Sequence, residues 1–146
     1  MVEIKKILCP VDFSEISPKV ASYARDFAQA LNADIIVLYV SPSIDQYPYF
    51  RLPPTNFQDF LNDHIVNAEQ AMDAFIQEHL GSINASGKVL SGDTAEVILD
   101  AADLEDAGLI IMGTHGRKGF NRLIFGSVAE KVVKASSVPV LTVRPD

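Results

Sequence analysis

Near-continuous apolar runs are the feature of this sequence that most limits how the chain can fold. The run DIIVLYV at 34–40 is apolar after its first residue and does not alternate with polar positions. The runs LIIM at 109–112 and VPVLTV at 138–143 have a similar character. Strands of this kind are typical of a parallel sheet that is covered by helices on both faces.

Helical periodicity fills the intervals between these runs. The first helix is predicted to begin at Ser17–Pro18, with the serine as its cap and the proline at its first position. A second helix is predicted from about residue 57 to 80, and a third after the capping box Asp93–Glu96. The sequence therefore predicts an α/β fold with an open, five-stranded parallel sheet and helices on both faces. The predicted strands span residues 4–11, 34–40, 86–90, 109–112 and 138–143.

A glycine-rich segment connects the fourth strand to the last helix. It reads GTHGRKGFNRLIFGSV over 113–128 and contains four of the chain's eight glycines. Glycine lets a ligand approach the backbone closely, and the following helix start presents unpaired N–H groups with a partial positive charge. Ser127 and Glu130 have the spacing of a capping box. The segment predicts an anion site, against the alternative of an ordinary glycine-rich surface loop.

The charge of this region favours the anion site. Between residues 113 and 134 the charged residues leave a local excess of four positive charges in a chain whose net charge is −7. A phosphate would find its most favourable place here, whereas the acidic balance of the whole chain argues against nonspecific binding to nucleic acid or anionic membranes. The charged residues of the segment are Arg117, Lys118, Arg122, Lys131 and Lys134, with Glu130 as the one acid.

Few single side chains of this sequence could carry chemistry. Asp12 follows the first strand and is either a ligand contact or a turn or capping aspartate. His115 lies in the glycine-rich segment, where it could contact a phosphate or ribose or brace the loop. Cys9, the only cysteine, is expected to be a buried apolar side chain. His64 and His79 are expected to be ordinary side chains of the second helix, and no metal site is expected because no two histidines have ligand spacing.

The length of 146 residues predicts a single domain over 1–146. No apolar run reaches 18 residues, so we expect no transmembrane helix and no membrane partner. The N-terminal residues lack the features of a signal peptide, so a cytoplasmic location is expected.

The motifs together resemble the nucleotide-binding branch of the universal stress protein family. The resemblance rests on Pro10–Asp12 after the first strand, Val40 at the end of the second, the pattern G-x₂-G-x₉-G-S over Gly113–Ser127, and the tail SSVPVLTVRP. It covers essentially the whole chain. It implies the strand order 3-2-1-4-5 and bound ATP or AMP, often with Mg²⁺ or Mn²⁺ held through the phosphates.

The resemblance also implies which residues form the site. The adenine is assigned to Asp12 and the backbone of Val40, and the ribose to the Pro10 carbonyl and Gly113. The phosphates are assigned to the N–H groups of the later glycines and of the first helical residues, with the Ser127 hydroxyl. The implied nucleotide site comprises Pro10, Val11, Asp12, Val40, Met112, Gly113, His115, Gly116, Arg117, Gly126, Ser127 and Val128.

The resemblance implies an adenine-nucleotide-binding regulator or sensor of the stress response. The alternative is a slow ATPase or a self-phosphorylating enzyme in the same pocket, where only His115, Asp12 and Ser127 could serve as base or hydroxyl. Turnover with saturating ATP and Mg²⁺ separates the two, and efficient catalysis is not expected. A phospho-acceptor receiver domain fits poorly, because it needs paired acids after the first strand and Asp12 stands alone.

The last strand is expected to mediate a homodimer. The implied strand order places it at an edge of the sheet, where an uncovered apolar strand is an aggregation liability. The resemblance implies that the same strand of a second chain covers it under two-fold symmetry. The apolar residues of this strand are Val138, Val140, Leu141 and Val143.

Overall fold

The computed structural model describes residues 1–41, 54–115 and 125–146, and strands and helices alternate along them. The strands are β1 (Lys6–Pro10), β2 (Asp34–Ser41), β3 (Ala85–Ser91), β4 (Leu109–Gly113) and β5 (Val140–Val143). The helices are α1 (Ser17–Leu31), α2 (Pro54–Leu80), α3 (Thr94–Leu104) and α4 (Ser127–Ala135). The predicted elements are confirmed, with small shifts at their ends.

The five strands form one parallel sheet in the order β3-β2-β1-β4-β5. The chain builds outward from β1 to β3 and then returns to add β4 on the other side of β1. Ile7 pairs with Leu109, and Leu8 with Ile110, across this junction. The strand order reverses between β1 and β4, and ligands of open α/β sheets bind beyond the carboxyl ends of the strands at such a point. The predicted fold class and strand order are confirmed.

An apolar cluster lies on each face of the sheet. One is formed with α1 and α2, and the other with α3 and α4. Ile110 and Ile111 show why the strand sequences do not alternate, because these neighbours are both fully buried and belong to opposite clusters. In the described ranges, no helix is both long enough and apolar enough to cross a membrane.

Two of the predicted helix caps are wrong by one residue. Helix α1 begins at Ser17 with Ile16 as its N-cap, and the Ser17 hydroxyl is 3.4 Å from Asp12 Oδ1 instead of capping the helix. Helix α4 begins at Ser127 with Gly126 as its N-cap, and no side chain caps it. The Ile16 and Gly126 carbonyls accept the N–H groups of Val20 and Glu130, so the serine falls inside the helix in both cases.

The predicted cap of α3 is confirmed, because Asp93 Oδ1 accepts the Glu96 N–H at 3.1 Å. Replacing Asp93 by Ala should therefore lower the free energy of unfolding by about 1 kcal/mol. Asp93→Ser keeps an acceptor at the cap and should recover most of the loss. Urea unfolding of the three proteins measures this, and equal stability of Asp93→Ala and wild type would contradict the assigned cap.

Candidate functional site

The loop after β1 is organised around Asp12. Its Oδ1 accepts the Ser14 N–H at 3.0 Å and lies 3.4 Å from the Ser17 hydroxyl, so the carboxylate closes a turn. The next residue, Phe13, has a φ of 61°, which is unusual for a bulky side chain. Its ring stacks on Tyr39 of β2 with the centroids 5.1 Å apart. This packing holds the strained turn in place and fixes Asp12 at the carboxyl end of β1.

The end of β4 lies against this loop. A Cβ added to Gly113 would lie 3.4 Å from Ile16 Cγ2 and 3.2 Å from the His115 carbonyl oxygen. The loops that follow β1 and β4 are therefore in contact. Their residues form one rim at the point where the strand order reverses, which is where open α/β sheets bind their ligands.

A hydrogen bond joins the two ends of the glycine-rich segment. The Gly126 N–H donates to the Thr114 carbonyl at 2.8 Å, and the Thr114 N–H donates to the Val143 carbonyl of β5 at 2.9 Å. A Cβ on Gly126 would lie 3.1 Å from that Thr114 oxygen. The φ of Gly126 is −66°, which any residue can adopt. Glycine is therefore required here because the backbone lies so close to the Thr114 oxygen, and not because of an unusual backbone conformation.

The hydrogen bond to Thr114 affects what the N–H group of Gly126 can bind in the site. The resemblance implies that the Gly126 N–H holds a phosphate, but in the structure this N–H is engaged within the chain. We therefore assign Gly126 a steric role: the absence of a side chain lets the start of α4 approach the end of β4.

The first turn of α4 presents the backbone N–H groups of residues 127–129 beside this hydrogen bond. The Glu130 N–H is bonded to the Gly126 carbonyl at 3.0 Å, so the three preceding N–H groups have no carbonyl of the helix to bond. Their partial positive charge suits an anion. The acid of this helix is paired, because Lys134 Nζ lies 2.8 Å from Glu130 Oε1. This hydrogen bond and the lysine charge lower the pKa of Glu130.

His115 is the one histidine that the described structure brings to this rim. Its Cα would lie 3.8 Å from a Cβ on Gly126, which places it next to the start of α4. Its Nδ1 is 3.0 Å from the hydroxyl of Thr114, which is only 2% exposed. Thr114 was not among the residues predicted from the sequence. The sequence contained one signal for this residue, a hydroxyl side chain directly between the apolar strand and the histidine.

The other reactive side chains lie in the core or on α2. Cys9 is fully buried, and burial raises the pKa of its thiol to about 12, so it is an inert core residue as predicted. The Nε2 of His64 lies 3.3 Å from the Tyr39 hydroxyl, and the ring of His79 packs on Phe75. The described ranges contain no group of three metal-ligating side chains.

The remaining predicted site residues lie at the strand ends or outside the described structure. Pro10 and Val11 are buried at the end of β1, and the Val11 N–H donates to the Leu38 carbonyl at 2.9 Å. Val40 and Met112 have buried side chains that pack in the α3–α4 cluster. Gly116 and Arg117 lie outside the described residues.

Comparison with known proteins gives a consistent result over the whole length. The model of the universal stress protein family matches residues 3–144. Universal stress protein MJ0531 of Methanocaldococcus jannaschii is 32% identical over 145 residues, which cover 96% of this chain and 82% of that protein. A universal stress protein of Thermus aquaticus is 34% identical over 140 residues, which cover 96% of this chain and 98% of that protein.

Solved structures share the fold. The structure of MJ0577 superimposes with a TM-score of 0.85 at 27% identity and covers 99% of both chains. Two universal stress proteins at 18% identity have TM-scores of 0.70 and 0.67, with 97% of this chain and 98% of each of theirs covered. One of these was solved in complex with cAMP, and the other, from Archaeoglobus fulgidus, with dAMP. With its family motifs, strand order and full-length matches together, this chain belongs to the universal stress protein family.

Proposed function

We propose that this protein binds an adenine nucleotide at the carboxyl edge of the sheet and acts as a regulator or sensor of the stress response. One observation carries the proposal: the loops after β1 and β4 and the start of α4 converge at the point where the strand order reverses. Asp12, His115 and the N–H groups of residues 127–129 are the polar groups of this rim. Such an arrangement suits a ligand with a polar base at one end and an anion at the other.

The phosphates would lie on the first turn of α4. The Ser127 and Val128 N–H groups point out of the helix start, and Ser127 is exposed, so its hydroxyl can add a further hydrogen bond. Gly116, which the family pattern also assigns to the phosphates, would complete this part, and Arg117 is a neighbour whose contact that pattern does not fix. A Mg²⁺ or Mn²⁺ ion would be held through the phosphates and would neutralise part of their charge.

The adenosine would lie across the ends of β1 and β2. The family pattern assigns the base to Asp12 and the backbone of Val40, and the ribose to the Pro10 carbonyl and Gly113. Support comes from the placement of these residues at neighbouring strand ends in the parallel sheet. The cAMP and dAMP bound by the two distant relatives are adenine nucleotides, which is consistent with this choice of base. ATP or AMP is therefore the proposed ligand.

The proposal is tested by identifying and titrating the ligand. Mass analysis of nucleotide released from the purified protein should detect ATP or AMP. Calorimetry of nucleotide-free protein should then show saturable binding of ATP and AMP, with GTP bound more weakly because guanine carries a carbonyl where adenine carries an amine. Equal affinity for GTP and ATP would contradict the adenine assignment.

The proposal includes a homodimer formed through β5. The strand lies at the edge of the sheet, and among the residues that the structure describes it pairs only with β4. Val140 and Leu141 are half-buried, whereas Val143 is buried in the core. Pro139 precedes the strand and lacks an N–H, so pairing with a second chain would be short and would depend partly on side chains.

Replacing Leu141 by Lys should shift this dimer toward the monomer, because a charge would be buried at the contact. Leu141 also packs against the α1–α2 cluster, so the matched control is Leu141→Ala, which loses the same packing without adding a charge. Sedimentation velocity at roughly tens of micromolar measures the effect for a dimer of about 1 μM affinity. A monomeric wild type at that concentration would contradict the dimer.

A further inference from the structure

We infer that Thr114 is a positioning residue, whose buried hydroxyl holds His115 with its proton on Nε2 so that the ring donates a hydrogen bond to the nucleotide phosphates. This inference rests on the proposed nucleotide site and adds one donor to it. It also gives Thr114, a residue outside the family pattern described above, a specific part in binding.

The hydrogen bonds available to the Thr114 hydroxyl determine which ring nitrogen of His115 carries the proton. The side chain is 2% exposed, and within the described chain the His115 Nδ1, at 3.0 Å, is the only partner of its hydroxyl. A buried hydroxyl that donates to nothing is costly, so the hydroxyl donates and Nδ1 accepts. A neutral imidazole whose Nδ1 accepts a hydrogen bond carries its proton on Nε2.

The position of His115 connects this tautomer to the anion site. The residue lies beside the N-cap of α4, and the ring is partly exposed. Its Nε2 is on the edge of the ring opposite the contact with Thr114. Phosphate oxygens accept hydrogen bonds and do not donate them, so an Nε2–H would attract them, whereas an Nε2 lone pair would repel them. The Thr114 hydroxyl therefore determines whether His115 favours or opposes the ligand.

The backbone of Thr114 has a separate structural role, and the test must distinguish it from the role of the hydroxyl. Its carbonyl accepts the Gly126 N–H and its N–H donates to the Val143 carbonyl. Thr114→Val keeps these backbone bonds and nearly the same side-chain shape but removes the hydroxyl. Thr114→Ser keeps the hydroxyl. A role through the hydroxyl predicts different behaviour of the two variants, while a role through the backbone predicts the same behaviour.

The first measurement needs no nucleotide. Nitrogen-15 NMR of the histidine rings in the ligand-free wild type should show His115 as the Nε2–H tautomer, with Nδ1 as a hydrogen-bond acceptor. The His115 signals are identified among the three histidines by their absence in His115→Phe. The Nδ1 signal should lose its hydrogen-bond shift in Thr114→Val and keep it in Thr114→Ser. A His115 that carries its proton on Nδ1 in the wild type would overturn the inference, whether or not the protein binds nucleotide.

The second measurement is a double-mutant cycle of ATP affinity. Thr114→Val should weaken binding about tenfold, the size of a hydrogen bond to a charged group, and Thr114→Ser should restore it. In the His115→Phe background, Thr114→Val should cause no further loss. Equal losses in both backgrounds, or unchanged affinity of Thr114→Val, would overturn the inference. If wild type binds no adenine nucleotide, the proposed function falls, and the tautomer measurement still decides the state of His115.

Discussion

Gly126→Val is expected to abolish nucleotide binding while the fold persists. An added Cβ would already lie 3.1 Å from the Thr114 carbonyl oxygen, and the two γ-methyl groups of valine have still less room. The variant should therefore push the start of α4 away from the end of β4 and break the 2.8 Å bond from Gly126 to Thr114. The N–H groups of the first turn of α4 would then be displaced from their place next to His115. Calorimetry with ATP should detect no binding, and circular dichroism should remain close to that of the wild type.

Gly81→Val is a matched control for this variant. A Cβ on Gly81 would meet a backbone carbonyl, that of Gln77, at the similar distance of 3.2 Å. Gly81 follows the end of α2 and is distant in sequence from every predicted site residue. The control should lose comparable stability but keep its ATP affinity within about twofold. Unchanged ATP binding by Gly126→Val, or equal losses in both variants, would contradict the placement of the phosphates.

Gly87→Val is expected to cause a large loss of stability, although valine is a better strand residue than glycine. A Cβ on Gly87 would lie 2.3 Å from Met72 Cγ and 3.0 Å from Ile76 Cδ1. Met72 is 2% exposed and cannot move aside into solvent. Overpacking of this kind should lower the free energy of unfolding by about 3 kcal/mol. Urea denaturation measures the change.

The cause of this loss is tested by shortening the methionine. Met72→Ala alone should cost about 2–5 kcal/mol through the cavity it leaves. In the double variant, valine at position 87 would occupy part of that cavity, so the combined loss should be clearly smaller than the sum of the two. Additive losses would show that Gly87 and Met72 do not share the contact that the structure assigns to them.

The fold could be predicted from the sequence largely because the sheet is buried on both faces. Runs such as the one that contains Ile110 and Ile111 fit no strand with a solvated side, so they indicate a parallel sheet directly. The strand order required the family resemblance, since the sequence does not show on which side of β1 the strand β4 is added. The caps expected at Ser17 and Ser127 lie one residue too late, because the carbonyls that accept the first helical N–H groups belong to Ile16 and Gly126.

The candidate site was predictable in its location but not in all its contacts. The glycine pattern identifies the loop between β4 and α4, yet it does not reveal that Gly126 is needed to approach Thr114. Gly87 is a similar case. A larger residue does not fit there because of a methionine on α2 that lies fifteen positions earlier in the chain. Asp12 closes the turn that one of the two sequence interpretations expected. Its contact with adenine stays a prediction.

The most direct test of the nucleotide site is an amide NMR titration of the wild-type protein with ATP. Saturable shifts are expected at the Ser127 and Val128 amides, which would donate hydrogen bonds to the phosphates, and at Asp12, which would meet the base. Adenosine should reproduce the shift at Asp12 but not those at the start of α4. The absence of any saturable shift, or ATP-dependent shifts that leave Ser127 and Val128 unchanged, would contradict nucleotide binding at this site.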